Sequence, residues 1–180
     1  MSGERHIPGK LVKGVFQRVL FADLSADLIT ALAGAGLDLS VPLQEAYPRP
    51  VWYRSIELTA DSLFPDGDQA SRLRRLGRHL IEALERRKLL KGPWLSMAKL
   101  MGPRRALKQA AELGGQYSPV HLDVRERSAR ELEVTVAEDQ QAEFLAGLLE
   151  GLVEVLGGKS PSVRVESVSN GRAVMAASWR

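Results

Sequence analysis

Residues 144–158 read Phe-Leu-Ala-Gly-Leu-Leu-Glu-Gly-Leu-Val-Glu-Val-Leu-Gly-Gly, and a valine-rich run follows from Pro161 to Trp179. The first run is typical of an amphipathic helix that stops at its paired glycines. Within the second run, Asn170-Gly171 separates two β-prone segments, which is the strongest short-range signal for a β-hairpin. The stretch therefore predicts a helix followed by two antiparallel strands.

Just upstream, the apolar spacing has a period of two. Apolar and polar residues alternate from Val120 to Val124 and again from Leu132 to Val136, which indicates two half-buried strands. The N-terminal half instead shows helical spacing, most clearly from about Gln69 to Leu90. We therefore expect an α+β fold: an N-terminal helical half, then β-β-α-β-β forming a four-stranded antiparallel sheet with a packed helix.

The predicted elements and domain boundaries follow from these patterns. Residues 1–10 are expected to form a flexible tail, and residues 11–180 one α+β domain with a helical half over about 11–115 and a sheet half over about 116–180. Leu11–Phe16 is β-prone. Helices are predicted over about 25–35, 51–63, 69–90, 94–101, 104–113 and 141–156, with breaks at Gly92-Pro93, Gly102-Pro103 and Gly114-Gly115.

Composition restricts the class of protein. The 180 residues include no cysteine, which excludes disulfide frameworks, thiolate metal sites and thiol nucleophiles. A mean hydropathy of −0.14, and the absence of an apolar run near the roughly 20 residues that span a bilayer, argue against a membrane protein. The first ten residues lack the apolar core of a signal peptide. A cytoplasmic protein is the expectation.

Short motifs along nearly the whole chain resemble a myxobacterial paralogous family known only as a domain of unknown function. They are Gly14-Val-Phe16, Ala35-Gly-Leu-Asp38, Ala46-Tyr-Pro48, Leu76-Gly-Arg78, Met101-Gly-Pro-Arg-Arg105, Gly147-Leu-Leu-Glu150 and Trp179. More distantly, the sequence from Phe144 onward is similar to the superfamily of haem-nitric-oxide-binding, vinyl-reductase and transport-particle proteins. That resemblance implies either a small or apolar ligand held between helices and sheet, or a dimerising assembly module.

Haem is not expected as a cofactor. Tyr53-Arg54-Ser55 contains the residue types that hold haem propionates in the resembled superfamily, but in the wrong order. His79 lies on a predicted helix without the downstream motif that would support an axial ligand. No histidines cluster with metal-ligand spacing, so no metal is expected.

A ligand pocket is predicted at one set of residues, with the protein core as the favoured alternative. The predicted pocket residues are Trp52, Tyr53, Ile56, His79 and Trp94. Gly147 and Gly151 lie four residues apart on one helix face, which allows a second backbone to approach closely. Packing on the protein's own sheet is the first interpretation of this pair, and a contact between subunits is the second.

Charge is distributed unevenly. Between Arg72 and Lys108 there are twelve Lys or Arg and two Glu, whereas residues 112–154 carry ten acidic residues. The predicted surface for an anionic partner is Arg72, Arg74, Arg75 and Arg78. A solvated helix face is favoured, self-association or a protein partner comes next, and nucleic acid bound through residues 72–91 is the least favoured alternative.

Two further motifs bear on function. Gly157-Gly-Lys-Ser160 has the residue types of a phosphate loop, but it follows a helix and lacks the leading glycine, so a helix stop is predicted. No linear catalytic motif is present, and an enzyme is not expected. The leading hypothesis is a non-catalytic regulatory or assembly module that self-associates, with a dimer favoured. The alternative is a sensor of a small apolar ligand or, less favoured, of haem or a gas.

Overall fold

The computed structural model of the chain describes residues 6–90, 92–117, 122–137 and 141–180, without the side chains of residues 94 and 113–117. Val120 of the first predicted strand and the side chain of Trp94 lie outside this part. Contacts group the chain into two compact units, residues 1–76 and 77–180. The expectation of a single domain over residues 11–180 stays a prediction.

The first unit is helical apart from one short pair of strands. Its elements are β1 (His6–Pro8), α1 (Gly9–Val12), a π-helix (Lys13–Val19), a 3₁₀ turn (Phe21–Asp23), α2 (Ala26–Gly34), β2 (Ala46–Pro48), α3 (Arg49–Leu63) and the first part of α4 (Gln69–Arg86). β1 pairs with β2 in antiparallel register, with Ile7 opposite Tyr47. Regular structure therefore begins inside the segment that was expected to be a tail.

The β-structure predicted for Leu11–Phe16 is wrong. These residues are helical, and their buried neighbours recur every three or four positions: Val12, Val15, Phe16 and Val19. That spacing places one apolar face against the core of the unit. The β-branched valines had suggested a strand, and burial of the helical face overrode their local preference.

Helix boundaries in the first unit follow local capping. The Ser25 hydroxyl accepts a hydrogen bond from the Leu28 N–H at 3.2 Å, which confirms the predicted start of α2. α3 begins at Arg49, two residues before the predicted start, because Pro50 suits the first turn of a helix. The Asp68 carboxylate accepts from the Ser71 N–H at 2.8 Å and caps α4.

The second unit contains the main sheet. Its elements are the rest of α4, then α5 (Pro93–Tyr117), β3 (Leu122–Ser128), β4 (Glu131–Val136), α6 (Ala142–Val155), β5 (Ser162–Ser169) and β6 (Arg172–Ser178). The four strands are antiparallel in the order β3-β4-β6-β5. The predicted α+β class, with β-β-α-β-β and a four-stranded antiparallel sheet, is confirmed.

Two predicted helix ends differ from the structure by several residues. α4 ends at Arg86 instead of Leu90, and α5 continues to Tyr117 through the predicted break at Gly114-Gly115. The predicted break at Gly102-Pro103 is confirmed, because Gly102 has a φ of 74° and a ψ of 170°, outside the helical range. α5 therefore consists of two helical segments that meet at this kink, and Pro103 suits the first turn of the second segment.

The hairpin that joins β5 and β6 is confirmed. Asn170 and Gly171 have φ values of 53° and 71°, which are the left-handed conformations that a two-residue turn of this kind requires. Ser169 pairs with Arg172 directly across the turn. This register sends Ala173, Met175 and Ala177 to the face of the sheet that contacts the core of the unit.

The predicted helix stop at Gly157-Gly158 is also confirmed. The Gly157 N–H donates to the Glu154 carbonyl and the Gly158 N–H to the Val153 carbonyl, both at 2.9 Å. This pair of bonds is the Schellman arrangement at a helix C-terminus. Both amides are engaged by α6, so they do not form a phosphate cradle.

None of the helices in the described part of the chain is long and apolar enough to cross a membrane.

Candidate functional site

An apolar cavity of about 300 Å³ lies in the second unit, between the sheet and the helices that cover it. Its buried residues are Leu107, Val134, Val136, Leu149 and Met175. Its partly exposed residues are Ile81, Ala110, Leu122, Val124, Leu145, Leu148 and Leu152. Among the described residues, therefore, the whole lining is hydrocarbon except for one thioether.

The secondary structure explains why the lining is apolar. In β4 every second residue is buried, which directs Val134 and Val136 to the cavity side. On α6, Leu145, Leu148 and Leu152 recur at helical spacing and form one stripe. On α5 the lining residues are Leu107 and Ala110.

A close crossing of α4 and α6 forms one side of the cavity. A Cβ atom on Gly77 would overlap the Phe144 carbonyl oxygen and come within 2.8 Å of the Leu148 nitrogen. One helical turn further along α4, a Cβ on Gly151 would lie 2.8 Å from the Ile81 Cβ. The predicted close approach at Gly151 is therefore present, but α4 makes it and the sheet does not.

Charged groups at the edges of the cavity hold its helices in place. The Arg78 guanidinium pairs with Glu154, which links α4 to α6. On the opposite side, Arg104 and Lys108 of α5 pair with the Glu126 carboxylate of β3 at 2.8 and 3.5 Å. These ion pairs are at least one third exposed, so each contributes about 0–1 kcal/mol and defines orientation more than stability.

A buried carboxylate connects α6 to the edge strand β5. Glu150 is 8% exposed, and its Oε1 accepts a hydrogen bond from the Val163 N–H at 3.1 Å. The bond satisfies an amide at the edge of the sheet, which would otherwise be costly to bury. Glu150 thereby orients the helix that carries the leucine stripe of the cavity.

The predicted pocket residues occupy other places. Trp52, Tyr53 and Ile56 lie on α3 in the first unit and are 8%, 9% and 0% exposed. Trp52 packs edge-on against Phe16, with ring centroids 6.1 Å apart and planes at 83°. This packing is that of core residues. The pocket role predicted for this set stays untested.

His79 lies on α4 in the second unit and is half-buried. Neither His79 nor the three α3 residues line the apolar cavity. Trp94 lies on α5, but its side chain is outside the described part of the chain.

The predicted anionic-partner surface lies on α4, and its arginines already have contacts within the chain. Arg72 pairs with Asp61 at 3.2 Å, and the Arg75 guanidinium lies 4.6 Å from the centre of the Phe64 ring. Arg78 also contacts Glu82 at 3.3 Å. Arg74 also has an interaction partner. These contacts compete with binding of phosphates, although the surface itself stays a prediction.

The sequence indicated most of the cavity-lining residues only as core. Alternation in the two strands and the helical spacing of α6 mark positions that face inward, and the same patterns occur in a solidly packed core. Ala110 is the smallest of the described lining side chains, and the close crossing at Gly77 involves a glycine. A single glycine or alanine gives no signal of a cavity.

The fold is similar to that of H-NOX domains. A mutant Fe(II) unliganded H-NOX protein from K. algicida shares 12% identity with a TM-score of 0.66, and the alignment covers 97% of each chain. An oxygen-binding H-NOX domain related to soluble guanylate cyclases shares 14% identity with a TM-score of 0.58, covering 97% of this chain and 95% of that one. At such low identity these likenesses show the fold alone.

A match between the sequence and a family model identifies the family to which the chain belongs. The model of the family described as "Protein of unknown function (DUF2378)" matches residues 5–180, and the chain therefore belongs to this family. No curated protein gives a significant match. The resemblance to a family of unknown function is thus confirmed, and the more distant resemblance to the haem-NO-binding superfamily is confirmed for the fold alone.

The apolar cavity does not fit haem. Haem iron takes an axial His, Cys, Tyr or Met ligand, and the haem propionates are carboxylates that need polar or cationic partners when buried. Among the described lining residues, Met175 alone offers a donor atom, and none is cationic. The lining of this cavity is instead compatible with an apolar molecule.

Proposed function

We propose that the chain is a non-catalytic regulatory domain that binds a small, uncharged, apolar molecule in the cavity of the second unit. The observation that carries this proposal is the composition of the lining: all twelve described residues are apolar. The cavity volume of about 300 Å³ is at the lower end of the range for ligand pockets.

The lining determines the class of ligand. Each methylene that leaves water for such a site contributes about 0.8 kcal/mol, so a molecule of eight to ten carbons would have enough apolar surface for useful affinity. A carboxylate or ammonium group inside the cavity would lose its hydration without gaining a partner. We therefore expect hydrocarbons, terpenoids or simple aromatic compounds, with any polar group at the partly exposed rim.

The fold supports a sensory role. One H-NOX domain of similar fold binds oxygen, and the function of haem distortion has been probed in the H-NOX family. In this chain we propose that the fold carries an apolar ligand in place of haem. Binding would stabilise the helices around the cavity and so present a ligand-dependent surface to a partner.

A fluorescence titration tests the proposal. N-phenyl-1-naphthylamine, an uncharged apolar dye, should bind with saturable, one-to-one enhancement and be displaced by decane. Ala110→Leu should abolish binding because the larger side chain enters the cavity. Ala111→Leu is the matched control, since the neighbouring residue does not line the cavity, and it should bind like the original chain. Absence of saturable binding to the original chain would contradict the proposal.

Self-association is a second proposal, favoured by one observation. On α5, Met97 is 54% exposed and Leu100 is 88% exposed, while Ala98 of the same helical turn is buried. Large exposed apolar side chains one turn apart are typical of contact surfaces. Light scattering should show a dimer that Leu100→Ser converts to a monomer. A monomeric original chain at all concentrations would exclude this surface as a self-contact.

A further inference from the structure

A groove in the first unit differs from the apolar cavity because its lining includes charged and polar side chains. Its volume is about 680 Å³, and it runs between the helical segment 9–17 and residues 42–45. One wall presents Lys10, Lys13 and Gln17, and the other presents Gln44 and Glu45. Beside the apolar side chains of Pro8, Pro42 and Leu43, the groove thus offers two ammonium groups, two carboxamides and one carboxylate.

The cationic wall is held by the packing behind it. Val12, Val15, Phe16 and Val19 of the same helical segment are each at most 6% exposed. The lysines therefore project from a helix whose other face is anchored in the core. Among the described residues neither Lys10 nor Lys13 has an ion-pair partner, in contrast to Arg72, which pairs with Asp61. Their charges are available to a ligand.

The opposite wall is fixed by main-chain and side-chain bonds. The Gly9 N–H donates to the Glu45 carbonyl at 2.7 Å, and the Gln44 N–H donates to the Tyr47 hydroxyl at 3.0 Å. Tyr47 is 3% exposed and lies opposite Ile7 in the β1–β2 pair. The backbone that carries the Gln44 and Glu45 side chains is therefore preorganised, which lowers the entropy cost of binding.

The π-helix is an independent sign of function at this groove. Lys13 and Gln17 both lie within the π-helical segment Lys13–Val19, which is closed by a bond from the Leu20 N–H to the Val15 carbonyl at 2.9 Å. Such segments are less stable than α-helix, are rare, and occur frequently at functional sites. Here the segment lies along the groove and carries two of its polar side chains.

We propose that this groove binds a small anion that also carries hydroxyl groups, such as a phosphorylated or carboxylated polyol. The two ammonium groups would neutralise the anionic group. The amide groups of Gln17 and Gln44 and the Glu45 carboxylate would pair with hydroxyls, since a carboxylate accepts and an amide both donates and accepts. A ligand with an anionic group alone would leave Glu45 opposite a negative charge, so Glu45 selects for hydroxylated molecules.

Chemical-shift mapping on the ¹⁵N-labelled chain tests this site, with glucose 6-phosphate, inorganic phosphate and glucose as probes. Glucose 6-phosphate should shift amides of residues 9–17 and 43–45 saturably, inorganic phosphate at least tenfold more weakly, and glucose not at all. The Lys10→Gln/Lys13→Gln double variant should weaken glucose 6-phosphate at least tenfold. The Lys88→Gln/Lys159→Gln variant makes the same charge change at exposed positions of the second unit and should leave binding unchanged.

Two further outcomes decide the proposal. Glu45→Gln should reduce the preference for glucose 6-phosphate over inorganic phosphate, because it removes the repulsion of a bare anion. The proposal is overturned if no probe gives saturable shifts at the groove, if both lysine variants bind alike, or if the shifts centre on Arg72–Arg78. Binding of the apolar dye is independent of this site, so failure here leaves the proposed function standing.

Discussion

Arg127 on β3 and Glu166 on β5 form a two-point ion pair across the outer face of the sheet, although β4 and β6 lie between their strands. The two N···O distances are 2.8 and 2.6 Å. Arg127 and Glu166 each lie at an irregularity of their strand, where the register shifts. On β6, Ala176 lies opposite both Glu133 and Arg164 and has only a methyl side chain. One cation thus connects the two edge strands.

Acid should weaken this connection. Hydrogen bonds from Arg127 and Arg164 lower the pKa of Glu166 from its ordinary 4.5 to about 2. A lowered pKa means that the unfolded chain binds more protons between these values, so the stabilisation is complete above about pH 4.5 and is lost as the pH falls to about 2. Glu166→Gln should therefore reduce the pH dependence of the unfolding free energy in this window.

Urea unfolding at several pH values measures that effect. Glu112→Gln is the control, because Glu112 is exposed and has no ion pair among the described residues; it should keep the slope of the original chain. The difference between Glu166→Gln and the original chain should also shrink in 1 M salt, since the pair is near the surface. An unchanged slope for Glu166→Gln would show that the pair does not form in solution.

Filling the apolar cavity should maintain or raise the stability of the chain and at the same time abolish ligand binding. Ala110→Leu places a larger apolar side chain against space that is already lined by hydrocarbon, and substitutions of this kind commonly stabilise by about 0.5–2 kcal/mol. Thermal unfolding of the variant should occur at or above the midpoint of the original chain, and the apolar dye should no longer raise that midpoint. A variant that is less stable and still stabilised by dye would show that Ala110 does not face the cavity.

The crossing of α4 and α6 should not tolerate a side chain at Gly77. Alanine favours a helix over glycine by about 1 kcal/mol, but its Cβ would overlap the Phe144 carbonyl, and overpacking costs about 1–3 kcal/mol. Gly77→Ala should therefore lower the unfolding free energy by up to about 2 kcal/mol. Gly14→Ala is the control, because a Cβ there meets no atom within 4 Å. Equal stability of the two variants would rule out the close crossing.

Glu150 should matter as a hydrogen-bond acceptor. Glu150→Ala leaves the Val163 N–H without its carboxylate partner, and an unsatisfied buried amide costs about 1–3 kcal/mol. Glu150→Gln keeps an acceptor oxygen of nearly the same shape, so it should recover most of that loss. Denaturant unfolding compares the three chains, and hydrogen exchange at Val163 should accelerate in Glu150→Ala alone. An equal loss of unfolding free energy in both variants would indicate that the negative charge of Glu150, and not its acceptor oxygen alone, stabilises the fold.

The order of elements could be predicted because local chemistry and tertiary structure agree. Ser25 caps a helix, Asn170-Gly171 makes a two-residue turn, and Gly157-Gly158 ends α6 by the hydrogen bonds that glycine favours at a helix C-terminus. Each of these signals lies within a few residues of the structure that it specifies. The order of elements can be predicted from a sequence when local conformational preferences agree with the fold.

The candidate sites were harder to predict because they depend on distant residues. The pocket was predicted from aromatic residues and a histidine, whereas the apolar cavity is lined by leucines and valines whose pattern equally suits a filled core. The groove of the first unit was missed for another reason. The β-branched valines of residues 11–16 predict a strand, and in a strand Lys10, Lys13 and Gln17 would not share one face.

Because the second unit contains the apolar cavity, its stability should depend on the concentration of the ligand. A ligand that binds the folded chain and not the unfolded one adds about 2.7 kcal/mol of stability when its concentration is one hundred times its dissociation constant. This is a large part of the stability of an ordinary domain. If the ligand binds as proposed, scarcity would shorten the lifetime of the protein against proteases, so the amount of protein would itself record how much ligand had been present.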